Sequence, residues 1–241
     1  MFRHRGRSRR MIHNLKLASL LSFVAGIVNV TGFFAVQVLT TNVTGHFAYF
    51  AEGMARKNFT SAWYFLAYVL AFLAGAFISN FTVEVTERVA KRYVNAAPVF
   101  AEIALLLIVI LVGARGVQQD QHLIALLLLF AMGLQNAMVT RISNAVVRTT
   151  HLTGLFTDLG IELSQLFFYR KEEQQRKLTA SVKLRFAVIG FFFLGCIIGG
   201  MGYMKYHIEI LYLAIFVLFI GIIYSNVRYR YLLLRKSIGD H

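Results

Sequence analysis

The chain has 241 residues, 58% of them hydrophobic and only 15% charged, with 22 Phe and a formal net charge of +14. That composition excludes an ordinary soluble domain, and the single Cys196 excludes an intramolecular disulfide. The basic residues cluster in short segments beside long apolar runs, which is the pattern of membrane topology rather than of nucleic-acid binding. No nucleic-acid partner is expected.

The basic segment 1–14 reads as a cytoplasmic N-terminus. The apolar run behind it, 15–39, is too long for a cleaved signal and is read as a retained first span. A short segment follows at 43–57, then spans at 61–83 and 96–114; together 15–114 form a first unit. The second unit, 121–228, repeats that order: a span at 121–144, a short segment at 152–168, and spans at 183–204 and 208–228. Residues 229–241 form a basic tail, expected to be cytoplasmic. The fold class is therefore all-α, a polytopic membrane protein with six transmembrane helices plus two short half-membrane helices. Residues 43–57 reach about 22 Å as a helix, short of a hydrocarbon core about 30 Å thick. With six crossings, the segments 1–16, 84–93, 170–185 and 228–241 put nineteen Lys/Arg on the side of the termini, against four (Arg56, Lys57, Arg115, Lys205) on the other, with Arg141 and Arg148 outside these segments.

The two units share a sequence pattern. Phe23, Gly26 and Asn29 recur 107 residues on as Phe130, Gly133 and Asn136. Thr41-Asn42-Val43-Thr44-Gly45 recurs 109 residues on as Thr150-His151-Leu152-Thr153-Gly154. Glu102 and Glu209 are again 107 apart. Three crossings per copy is an odd number, so the copies are expected to run oppositely through the membrane as inverted repeats. The stripes Ala71-x-x-x-Gly75-x-x-x-Ser79 and Gly195-x-x-x-Gly199 suit close helix packing, and also a hinge or a homo-oligomer face.

The candidate solute site is built from the two Thr-rich helix starts. A helix N-terminus presents unpaired N–H groups and about half a positive charge. Thr41, Asn42 and Thr44 in the first copy, and Thr150, His151 and Thr153 in the second, supply hydroxyl, amide and imidazole groups there. Gly45 and Gly154 permit close approach to the backbone. Asn29, Gln135 and Asn136 sit mid-span, where a buried amide must bond a neighbouring helix or a solute. Arg141 and Arg148 flank the second short helix and are candidates for anion binding or gating. Asp158 and Glu162 share one face of that helix, with Glu52 at comparable depth in the first. These acids are candidates for coupling, paired with Arg141 or Arg148. Glu102 and Glu209 read as interface anchors. No catalytic constellation or metal-ligand spacing stands out, so neither an enzyme nor a cofactor is expected.

The segments Thr41–Gly45, Met132-Gly133-Leu134-Gln135-Asn136 and Arg148–Gly154 resemble the hallmark segments of the YoaK family, with the likeness covering about residues 12–230. The resemblance implies a bacterial inner-membrane protein, and it carries no substrate with it. The expected function is a small secondary transporter of a small polar or anionic solute, with membrane lipid as its surroundings. A channel of the same architecture and a non-transporting membrane scaffold are the alternatives.

Overall fold

The computed structural model describes residues 11–89, 96–143, 147 and 149–224 of the chain. The regular elements among them are all helical. They are α1 (Met11–Val36), α2 (Val43–Ala55), α3 (Phe59–Val89), α4 (Ala97–Gly113), α5 (Gln121–Ser143), α6 (Leu152–Phe168) and α7 (Glu172–Tyr206). A single 3-10 turn, His207–Ile210, then leads into α8 over 211–224. Among the described residues, four helical stretches are long and apolar enough to cross a membrane: Leu15–Val36, Phe59–Val89, Gln121–Ser143 and Glu172–Tyr224. The last is 53 residues long, about 80 Å if straight, but it does not run straight. His207 adopts a left-handed backbone (φ 50°), the turn folds Ile210 onto Gly202, and α8 returns to bring Tyr224 beside Lys16 of α1.

Several boundaries depart from the sequence reading, among them the end of α3 at Val89 rather than at 83. The first span stops at Val36 rather than at 39, because Gln37 takes φ 56° and turns the chain back on itself. Helix α7 begins at Glu172, well before the apolar run at 183. Glu172 and Glu173 complement its N-terminal dipole. Lys177 Nζ lies 2.6 Å from Glu173 Oε1 one turn on, so the charged segment is itself a good helix. The exposed surface of α3 is consistent with a lipid-facing exterior: Leu70, Leu73, Phe77 and Phe81 form one exposed apolar stripe along it.

Four helices cross in two matched pairs. Each carries the sequence Phe-x-x-Gly: Phe23 and Gly26 on α1, Phe72 and Gly75 on α3, Phe130 and Gly133 on α5, Phe192 and Gly195 on α7. In every case the glycine lies on the carbonyl oxygen of the facing phenylalanine. Gly26 meets Phe192 and Gly195 meets Phe23; Gly75 meets Phe130 and Gly133 meets Phe72. A Cβ at any of the four would overlap that oxygen, so only glycine permits the approach. Cys196 adds a bond from Sγ to the Gly26 carbonyl at 3.4 Å.

The contacts also fix helix directions. Phe23 meets Gly195 and Val30 meets Gly199, so α1 and α7 run parallel. Tyr68 meets His122, Gly75 meets Phe130 and Asn80 meets Arg141, so α3 and α5 run parallel. By contrast, Gln135 bonds Leu21 while Leu128 touches Gly32, which sets α1 and α5 antiparallel. The main core lies where α1, α4, α5, α7 and α8 meet, around Leu21, Leu106, Leu128, Met132 and Leu218.

Candidate functional site

Both short helices start well inside the helix bundle. After Gln37, Val38 and Thr40 pack back on Gly32 of α1. Thr41 then reaches Asn29: its backbone N–H and its hydroxyl both donate to Asn29 Oδ1, at 3.2 and 3.0 Å. Asn29 precedes the end of α1 by seven residues, so α2 begins about 10 Å back along that helix. From there α2 returns beside α3, with Gly53 against Ala62 and the turn closed by Lys57 at φ 59°. His46 Nε2 lies 3.0 Å from the Leu39 carbonyl and ties the α2 start to the returning segment.

The second copy repeats the excursion with other bonds. Ser143 Oγ accepts from the Val147 N–H at 2.9 Å and donates to the Val147 carbonyl at 3.2 Å. Farther on, Thr149 Oγ1 accepts from Gln135 Nε2 at 3.4 Å, and the same amide donates to the Leu21 carbonyl at 3.0 Å. The chain has thus come back alongside α5 before α6 begins. Gln135 is a tie between α1, α5 and this segment and does not line the cavity.

The two helix starts converge on one cavity of about 690 Å³. Asn29, Thr41, Asn42 and Thr44 line it from the first copy. Asn136, Thr150, His151 and Thr153 line it from the second. Gly45 and Gly154 lie one residue farther along their helices. The cavity walls also include Phe72 and Phe192, one phenylalanine from each of the two crossing points, and Thr140. No Lys, Arg, Asp or Glu is among the described residues that line it.

The two starts are capped differently. Asn42 Oδ1 accepts from the Gly45 N–H at 3.1 Å and from the Thr44 hydroxyl at 2.9 Å, satisfying the first turn of α2. Gly45 is needed there, since a Cβ would lie 2.7 Å from Asn42 Nδ2. In α6 the His151 ring lies over Gly154, where a Cβ would overlap it, yet its side chain makes no capping bond. The Asn–Thr pairs differ as well. Asn29 holds Thr41, whereas Asn136 Oδ1 is buried without a partner among the described residues. Thr150, the counterpart of Thr41, is only 9% exposed.

The charged candidates lie elsewhere. Glu52 pairs with Arg56 at 3.0 Å on an exposed face of α2. Arg141 joins Asn80, Glu84 (2.7 Å) and Glu87 (3.2 Å) near the end of α3. Asp158 and Glu162 pair with Arg185 of α7, at 2.9 and 2.7 Å, rather than with Arg141. Ser181 donates to the same Glu162 at 2.6 Å. These acids therefore bind α6 to α7 outside the cavity. Arg148 lies outside the described residues. Phe72, Phe192 and Thr140 were not foreseen; the fourfold Phe-x-x-Gly pattern was the available signal for the first two.

Comparison with known proteins places the chain. The UPF0700 transmembrane protein YoaK of Bacillus subtilis (strain 168) is 23% identical over 204 residues, 84% of this chain and 90% of the relative. No solved structure matches. Residues 17–224 match the family described as "Protein of unknown function (DUF1275)", and with most of its length matched the chain belongs to that family.

Proposed function

We propose that this is a small secondary transporter of the bacterial inner membrane, carrying a small polar or anionic solute. In this reading each copy contributes three spans and one half-membrane helix, the copies are inverted, and both termini are cytoplasmic. The observation that carries it is the single cavity on which two re-entrant helix starts converge, each arriving from the end of a different antiparallel helix, α1 or α5. Membrane transporters place solutes at such helix breaks, where irregular backbone is tolerated because it lines a cavity.

The unequal Asn–Thr pairs support alternating access. The pair in the first copy is closed and the matched pair in the second is open, so the two sides of the cavity stand in different states. Rocking the α1–α7 pair against the α3–α5 pair, each held by its glycine crossing, would exchange them, closing Asn136 on Thr150 while Asn29 releases Thr41. The ion pairs of Arg185 and Arg141 cross between helices and would hold the moving parts together. Coupling through Asp158, Glu162 or Glu52 would then act on α6 and α2 from outside the cavity.

The test is transport by the purified protein in proteoliposomes. The reading predicts saturable uptake and counterflow of a labelled solute preloaded on one side. Unitary currents in a planar bilayer would make it a channel instead. No flux of any solute, with Thr44→Ala and Thr153→Ala affecting only partner binding, would make it a scaffold.

A further inference from the structure

A second cavity, of about 600 Å³, lies where α1, α7 and α8 meet, and it shares no residue with the one between the helix starts. Phe191, Leu194 and Ile220 of its walls are exposed, so it is a groove on the outside of the bundle. Its chemistry changes along its length. Lys16 of α1 and Tyr224 of α8 stand at one end. Phe23 and Val217 stand at the other, about 10 Å away along α1.

The polar end is built around one cation. Lys16 Nζ donates to the Tyr224 hydroxyl at 2.7 Å and lies 5.0 Å from the centre of its ring. These contacts hold the ammonium at the rim but give it no counter-charge. Arg56, Arg141, Lys177 and Arg185 each face a carboxylate. Lys16 faces none among the described residues. The chain segments that continue from this end are basic too. Residues 1–10 carry five Arg, and 225–241 carry three Arg and one Lys against one Asp.

An apolar groove with an uncompensated cation at one rim is complementary to an amphiphile with a negative head. We propose that this groove binds an anionic phospholipid, its phosphate on Lys16 and the first part of one acyl chain along Phe23, Leu194 and Val217. After bonding Tyr224 the ammonium still has donors for phosphate oxygens, and such charge-assisted bonds are the strong ones. Lys16 sits at the start of the first apolar span, Leu15–Val36, which is where a headgroup lies. The acyl chain gains little by leaving other lipid tails, since these are as apolar as the groove. Discrimination therefore comes from the head, and the groove fixes where that head sits. The site is independent of whether the protein moves a solute.

The experiment measures lipid retention by the full chain, released from detergent micelles into a native mass spectrometer. The probes are phosphatidylglycerol and phosphatidylcholine with identical acyl chains, at equal concentration. Phosphatidylglycerol should be retained about fivefold more, the weight of one lysine beside an anionic headgroup. Lys16→Gln should remove most of that preference. Lys205→Gln removes a lysine that also lies over a tyrosine, Tyr206 at 5.2 Å, but away from the groove. It should leave the preference intact. Both lysines are exposed, so neither change threatens the fold. Ser19→Trp fills the groove without altering charge and should lower retention of both lipids together. Soluble glycerol phosphate, a phosphate ester with no acyl chain, should fail to displace phosphatidylglycerol at equal concentration. Equal retention of the two lipids would overturn the site, as would equal effects of the two lysine changes. Retention untouched by Ser19→Trp, or displacement by glycerol phosphate, would overturn it as well, because the groove would then contribute nothing.

Discussion

A single methyl group decides whether the long helices can pack. Gly26, Gly75, Gly133 and Gly195 each rest on a phenylalanine carbonyl of the opposing helix, with no room for a Cβ. Gly190 of α7 and Gly160 of α6 have nothing within 4 Å of the same position. Gly133→Ala should therefore push α5 away from α3 and lower stability by about 1–3 kcal/mol, the usual cost of overpacking. Gly190→Ala meets no obstacle and should gain up to about 1 kcal/mol from the better helix propensity of alanine. Thermal unfolding in detergent compares the two directly, and equal effects would contradict the close backbone contact. The same scale separates the two Asn–Thr pairs. Asn29 and Asn136 were both legible as polar breaks in apolar helices. Their different states were not, because a bond between residues twelve apart depends on how the intervening chain turns at Gln37 and Val38.

At the scale of elements, the hairpins α2–α3 and α6–α7 occupy matched places but are held by different chemistry. Tyr49 stacks on Phe65 with ring centroids 4.9 Å apart, while Asp158 and Glu162 grip Arg185. Arg185 and Glu162 are 20% and 14% exposed, against 76% for Arg56 in its surface pair. Arg185→Leu should cost about 2 kcal/mol, the range of a hydrogen bond to a charged group, because the mostly buried Glu162 side chain is left without its cation. Arg56→Ala should cost less than about 1 kcal/mol. A melting-temperature comparison checks both, and a negligible effect of Arg185→Leu would show that helix packing alone holds α6. The sequence pattern made the short helices readable: the expected 152–168 coincides with α6 and 43–57 nearly so with α2. It did not identify Arg185, since the choice of partner depends on the angle at which α6 settles on α7. Nor did it single out Phe72 and Phe192. They recur at a spacing of 120 residues rather than 107, because the second copy has a longer α6 and a longer polar lead into α7, which hides the correspondence from a fixed-period search.

Across the whole molecule the decisive property is direction. Helices α1 and α5 open their respective copies and run antiparallel, while each pairs in parallel with the third helix of the other copy. If the copies are inverted, the turn between α2 and α3 and the turn between α6 and α7 must emerge on opposite faces of the membrane. Lys57 and Glu173 mark those two turns, and both are exposed. In a Cys196→Ala background, Lys57→Cys should react with a membrane-impermeant maleimide on intact cells. Glu173→Cys should react only after the membrane is permeabilised. Labelling of both from the same side would remove the inverted arrangement, and with it the proposed access to one cavity from two faces. The consequence is specific to this architecture. On the transport proposal, oppositely oriented starts would make the closing of one Asn–Thr pair and the opening of the other parts of a single movement.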